Sequence, residues 1–199
     1  MTDPSPKLHL ASASPRRREI LSALGLEFTA AGVDLDESRL GTESAEAFVL
    51  RLAEEKALAA RSTVAADAVI LGADTAVVLE DRIFGKPANI DEGVGMLLGL
   101  AGRTHEVLTG IAVTGPAGTA TGCSRTRVRF RDIDPEEARD YWHSGEPADK
   151  AGGYGIQGLG GVFVAGLEGS YSGVVGLPVF ETATLLAAAG IRILGSGKV

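Results

Sequence analysis

Apolar and polar positions along the chain switch between two periods, and the switches predict its elements. Leu8–Ala11 is a short apolar run that reads as a buried strand. A helix follows from Pro15, a residue suited to a first helical turn, and stops at Gly25. Glu27–Ala31 reads as a second strand, and residues 33–42 as an acidic loop. Ser44 caps a strong helix that runs to about Arg61. Residues 68–87 alternate as strands around a turn at Glu80-Asp81-Arg82. Asp91–Leu100 reads as a helix weakened by glycine, and the two β runs after it flank the turn Gly115-Pro116-Ala117-Gly118. Asp134-Pro135-Glu136-Glu137 opens a helix ending near Ser144, a glycine-rich segment covers 152–176, Leu177–Ala189 is helical, and Ile191–Leu194 is a last strand. Strands and helices alternate, but hairpins occupy the middle, so the expected fold is α/β with a mixed sheet and not a purely parallel one.

Composition narrows the function classes. The chain has 199 residues, 45% hydrophobic and 23% charged, which fits one globular domain across 1–199. A net charge of −7 argues against a general nucleic-acid binder. The lone cysteine, Cys123, has no partner for an internal disulfide and fits a reducing, cytoplasmic setting. The polar start MTDPSPK lacks a signal-peptide core, and no apolar run has the roughly 18 residues that span a bilayer.

Against this acidic background a few groups stand out. SASPRRREIL places Arg16, Arg17 and Arg18 at a helix start, where the helix dipole disfavours cations, so an anion has to offset them. In GADT, the strand Ala68–Leu71 delivers Asp74 at or just past its end, where α/β sheets hold ligands; a turn or capping aspartate is the plainer alternative. On the wheel of the 44–61 helix, Ala45, Phe48, Val49, Leu52, Ala59 and Ala60 share a face with Lys56, while Arg51 falls outside it. Lys56 therefore either snorkels out along its stem or reaches an internal anionic site. Lys86 lies in a Gly85-Lys86-Pro87 turn, and Asp34, Asp36 and Glu37 form a carboxylate cluster of the kind that binds Mg²⁺ with phosphates or is simply solvated.

Gly153–Gly158 spells G-x-G-x-x-G, but a polar segment precedes it and more glycine follows, which rejects a dinucleotide-binding turn. Its amides can still approach a ligand, with Gln157 as the base-reading side chain, although Tyr154, Ile156 and Leu159 point to packing. Neither Gly85-Lys86 nor Gly197-Lys198 is followed by Ser or Thr, so there is no Walker loop. No G-x-S-x-G elbow occurs, and His105 and His143 lack metal-ligand company. Cations with carboxylates and no Walker loop point to a polyphosphate held with a metal.

In this order, SASPRRREIL, VDLDES, EEKA, GADTAVVL, GKP, GEPADKAGGYGIQG and SGVVGLP resemble the Maf family of nucleoside triphosphate pyrophosphatases. The resemblance implies an elongated mixed sheet with flanking helices and two lobes around a cleft, similar to inosine triphosphate pyrophosphatases. It implies hydrolysis between the α and β phosphates with a divalent cation, Mg²⁺ or Mn²⁺, giving the monophosphate and pyrophosphate. Asp74 matches the catalytic carboxylate and, with Glu37, the metal position. Ser14, Arg16, Arg17, Lys56, Thr75, Lys86 and Gln157 match substrate-binding positions, and the Ser-Pro-Arg-Arg pattern resembles the branch acting on dTTP and UTP. Asp34-Leu35-Asp36-Glu37 carries one acidic group more than the usual pattern, which leaves the metal ligand open among them. A homodimer is what the family implies for assembly, with no nucleic-acid polymer or membrane as partner. The alternative is a nucleotide-binding regulator of cell division without turnover.

Overall fold

A computed structural model describes residues 7–194; the first six residues and the Gly197-Lys198 pair lie outside them. Seven strands form one mixed sheet: β1 (Leu8–Ala11), β2 (Phe28–Ala31), β3 (Val69–Leu79), β4 (Arg82–Phe84), β5 (Thr104–Gly115), β6 (Gly118–Phe130) and β7 (Val164–Glu168). The order is β2-β1-β3-β5-β6-β7, with β4 paired to β3. β1 runs parallel to β2 and β3, whereas β3–β4 and β6–β7 are antiparallel. The helices are α1 (Pro15–Ala23), α2 (Ala45–Ala59), α3 (Ile90–Leu100), α4 (Pro135–His143), α5 (Tyr171–Val175) and α6 (Val179–Ala188). None of the described helices is long and apolar enough to cross a membrane. The chain divides into two compact units, one of residues up to Asp74, Thr109–Ser124 and residues from Gly176 onward, the other of Thr75–Leu108 and Arg125–Val175.

In the first unit the sheet is apolar on both faces. Leu8, Leu10, Val69, Leu71, Ala73, Ile111 and Val113 pack with Leu21 of α1 and Leu186 of α6. Ala11, Ile70 and Ala112 pack with Ala53, Ala57 and Ala60 along α2. This second layer is thin by design of the sequence. A Cβ at Gly72 would collide with the Ala53 carbonyl oxygen, and one at Gly110 with the Val49 carbonyl oxygen. Val49, Ala53 and Ala57 stand four residues apart on one helical stripe, so two missing side chains on the sheet let the α2 backbone lie directly on it. The seat shifts the apolar face from the expected one: Ala53 and Ala57 are buried, and Ala59 is exposed.

In the second unit, Val77, Leu79, Phe84, Val107, Val128 and Phe130 of the strands pack with Val94, Leu97 and Leu100 of α3 and Ala138 and Tyr141 of α4. Gly93, which weakens α3 as an isolated helix, gives the Trp142 ring room to lie against it. Trapped among these aromatics is His105, 1% exposed, its Nε2 2.8 Å from the Tyr154 hydroxyl. Phe130 and Tyr154 both meet its ring edge-on.

Three expectations shift. The glycine-rich segment contains β7 and α5, because Val164–Leu167 supplies a short apolar strand that pairs with β6. Residues Ile191–Leu194 are not a strand. Gly190 ends α6 with a left-handed φ of 87°, and Ile191 turns into the core of the first unit, while Leu194 is exposed. Asp74 sits in the middle of β3, not at its end. The strand does outrun its parallel partner, however: pairing with β1 stops at Leu71, so Asp74 stands beyond the point where β1 ends.

Two stability effects follow from these packings. Gly72→Ala sets a methyl against helix backbone, which cannot swing aside, and should destabilise by about 1–3 kcal/mol in urea unfolding. Burial pulls the His105 pKa down from 6.5 to about 4. Above pH 6.5 the ring is neutral in both folded and unfolded chains; as pH falls, the unfolded chain takes up the proton first. Stability is therefore lost toward about pH 4, by roughly 3 kcal/mol for a shift of this size. His105→Gln should flatten the fall in melting temperature between pH 6.5 and 4.

Candidate active site

The seat of α2 fixes where Lys56 goes. Asp74 is two residues beyond Gly72 on β3 and so shares its face of the sheet. Lys56 lies between Ala53 and Ala57 on the seated stripe, and both it and Asp74 are only 8% exposed. Lys56 Nζ donates to Asp74 Oδ1 at 2.6 Å and forms an ion pair with Glu37 Oε1 at 2.6 Å. The lysine reaches an internal anionic site and does not snorkel. Burying one ammonium costs several kcal/mol unless it is paired, and two carboxylates on it supply that pairing.

Two acidic residues of the 33–42 loop go different ways. Asp36 turns back on its own loop, accepting the Ser38 amide at 2.9 Å, and the Ser38 hydroxyl together with that amide holds its carboxyl below the usual range. Glu37, with its side chain half exposed at 49%, is the one that reaches Lys56.

Ser14 is the N-cap residue of α1, and its side chain makes no cap hydrogen bond. Of the three arginines that follow, Arg18 is exposed, and Arg16 and Arg17 are half-buried. Arg17 donates to the Gly176 carbonyl at 2.8 Å and to Ser12 Oγ at 3.1 Å. Burial pulls the Arg17 pKa down, and the nearby carboxylates of Asp74 and Glu37 pull it back up. Burial likewise pushes the Asp74 carboxyl above its ordinary range, against the opposing pull of Lys56 and Arg17. Asp74 is thus a buried carboxylate of raised basicity held between two cations, as proton abstraction requires.

Thr75 follows Asp74 in β3 and is half-buried. Lys86 is exposed on a loop that is fixed at both sides: the Gly85 carbonyl accepts from the Gly152 amide at 3.0 Å, and Pro87 is buried. Gln157 is exposed on the glycine-rich loop of the same unit.

That loop is not an open cradle of amides. The Glu146 carboxylate accepts the Tyr141 hydroxyl at 2.7 Å, the Leu159 amide at 2.8 Å and the Gly160 amide at 3.0 Å, and the Gly155 amide donates to the Tyr141 oxygen at 3.0 Å. Side chains at Gly155, Gly158 and Gly160 would run into Lys150, Glu146 and Tyr141. Amides expected to meet a ligand are occupied by the protein's own oxygens. Sequence reading missed Glu146 and Tyr141; three glycines placed after a Tyr-x₄-Glu pair were the available signal.

It also missed Arg51, which bonds Glu43 and the Ser38 carbonyl; its pairing with Glu55 at i+4 was the visible part.

Among the described residues no cluster of three or more His, Cys, Asp and Glu side chains is set to hold a metal ion. Glu37 and Asp74 bring two carboxylates together on one ammonium, and one or two carboxylates are what Mg²⁺ takes from a protein where phosphates and waters complete its octahedron. The hard oxygen donors fit that ion.

The chain is similar to several known proteins. A "dTTP/UTP pyrophosphatase" of Hahella chejuensis is 52% identical over 190 residues, covering 94% of each chain. One of the same name from Saccharophagus degradans is 51% identical over 189 residues, covering 94% of this chain and 90% of its own. Among solved structures, a "Nucleoside-triphosphatase / dITP/XTP pyrophosphatase" from Mycobacterium abscessus is similar with a TM-score of 0.45 and 15% identity, covering 92% of this chain and 95% of its own. The family described as "Maf-like protein" matches residues 7–189, and the chain belongs to it.

Proposed function

We propose that the protein is a nucleoside triphosphate pyrophosphatase that hydrolyses the α–β phosphate bond of dTTP or UTP, releasing the monophosphate and pyrophosphate. The observation that carries this reading is the buried Asp74 carboxylate held by Lys56 beside Glu37. The relatives named dTTP/UTP pyrophosphatase, half identical over nearly the whole chain, support the choice of substrate.

In this mechanism Asp74 takes the proton from the water that attacks the α phosphorus. Lys56 engages Oδ1, so Oδ2 is the oxygen placed to accept it. Arg16 and Arg17 face the charge of the phosphates; guanidinium groups bind such oxygens in a fork. The N-terminal end of the α1 dipole, where the Ser14 side chain makes no cap, adds a partial positive charge. Lys86 supplies a further cation, and Thr75 and Gln157 discriminate the nucleoside. Glu37 and Asp74 would hold Mg²⁺ or Mn²⁺. Such an ion, when bound, neutralises phosphate charge and lowers the pKa of coordinated water.

The direct test mixes purified protein with Mg²⁺ and dTTP. Pyrophosphate should appear in step with dTMP, and release of single phosphates instead would refute the reading. Asp74→Asn should lower kcat by about 10²–10⁴-fold, with dTTP affinity by calorimetry kept within a few-fold. Gln157→Ala should narrow the difference in kcat/KM between dTTP and purine triphosphates while the melting temperature stays put, since Gln157 is exposed and the loop is held by Glu146. An unchanged substrate profile would remove Gln157 from the specificity set.

A further inference from the structure

Glu37 is carried by a loop, and a loop alone does not hold a carboxylate in place for catalysis. The tether is on α2, away from the buried stripe. Arg51 Nη2 bonds Glu43 Oε1 at 2.6 Å and the Ser38 carbonyl at 3.1 Å, and its Nε bonds Glu43 Oε2 at 3.1 Å. Its Nη1 reaches Glu55 at 3.1 Å, one turn along the helix. Glu43 in turn accepts the Leu40 amide at 2.8 Å, and its carbonyl accepts the Arg39 guanidinium at 2.9 Å. One guanidinium therefore closes the whole turn from Ser38 to Glu43 onto the helix.

We propose that Arg51 is a positioning residue for Glu37, clamping the 38–43 turn to α2 so that the neighbouring Glu37 carboxylate is presented at Lys56 and Asp74. Glu37 and Ser38 are consecutive, and they are anchored on two side chains of one helix, Lys56 and Arg51, about 7.5 Å apart along its axis. The two anchors are independent. A cation drawn to Glu37 competes with Lys56 for the carboxylate, whereas the Arg51 clamp uses Glu43, Glu55 and a backbone carbonyl and survives that exchange. Arginine is required for this geometry because its planar fork meets both carboxylate oxygens and a third acceptor, which a lysine ammonium on a single stem does not do. The inference rests on the proposed pyrophosphatase reading for its catalytic consequence, and on the loop geometry alone for its structural one.

The test uses the full chain with Arg51→Met and Arg51→Lys. Trypsin cleavage after Arg39 reads the loop directly and should quicken in both variants. Mn²⁺ binding to the protein without nucleotide, followed by electron paramagnetic resonance, should weaken by about 10–100-fold, the usual effect of losing a group that orients a ligand. With dTTP, the Mg²⁺ concentration for half-maximal pyrophosphate release should rise by a similar factor in Arg51→Met, and raised Mg²⁺ should restore much of kcat. A merely structural role would lower the melting temperature without moving the Mg²⁺ dependence. Should Arg51→Met fail to fold, Arg51→Lys carries the same three readings. Cleavage at Arg39 and Mn²⁺ binding both equal to wild type would overturn the proposal. A wild-type protein that releases no pyrophosphate from any nucleotide would instead overturn the pyrophosphatase reading, with the cleavage and Mn²⁺ results still deciding the role of Arg51.

Discussion

The first unit depends on how closely α2 approaches the sheet. Gly72 and Gly110 remove the two side chains that would hold the helix away, and the backbone carbonyls of Ala53 and Val49 occupy that space. Helices ordinarily rest on sheets through a layer of interlocking side chains. Here the layer is reduced to alanines, which give the contact little depth and little tolerance. A lysine stem has a fixed reach, and from a helix held further off by larger side chains Lys56 would fall short of Asp74. From this short distance it ends on Asp74. The geometry of the Lys56–Asp74 pair and core packing are consequently the same constraint, so changes to the alanine stripe register at the charged pair.

The charges at that pair are balanced in number: Lys56 and Arg17 against Asp74 and Glu37. Balance allows Lys56 and Asp74 to be buried. It also sets the basicity of Asp74, where burial raises the pKa and the two cations restrain it. A fully exposed carboxylate would be a weak base, and a buried one without Lys56 would hold its proton too firmly. The arginines at the start of α1, unfavourable for the helix in isolation, have part of their compensation in this arrangement, because Arg17 feels both Asp74 and Glu37.

Much of this was readable from the chain. Apolar periodicity placed nearly every helix and strand, and Lys56 within an apolar stripe announced a buried partner. Asp74 stood out because a run of branched residues led into it. What was not readable were effects that depend on neighbours distant in sequence. Nothing at Ile191–Leu194 shows that Gly190 will turn the chain into the core. The close seat of α2 needs Gly72 and Gly110 side by side, nearly forty residues apart in the chain. The sequence does not show that Asp36 turns back on Ser38 while its neighbour Glu37 reaches Lys56. Glu146 drew no notice because its amide donors lie more than ten residues away along the chain.

The wrapping of the glycine-rich loop around Glu146 has a bearing on how this protein can diverge. Gly158 and Gly160 leave no room for a side chain, and Glu146 and Tyr141 are committed to holding the loop. Substitution in this stretch is thereby channelled to the few positions between the locks, and Gln157 is an exposed one among them. A lineage can exchange that side chain without loosening the loop that carries it. Rigid surroundings of this kind turn one codon into an adjustable element and leave the scaffold out of reach of drift.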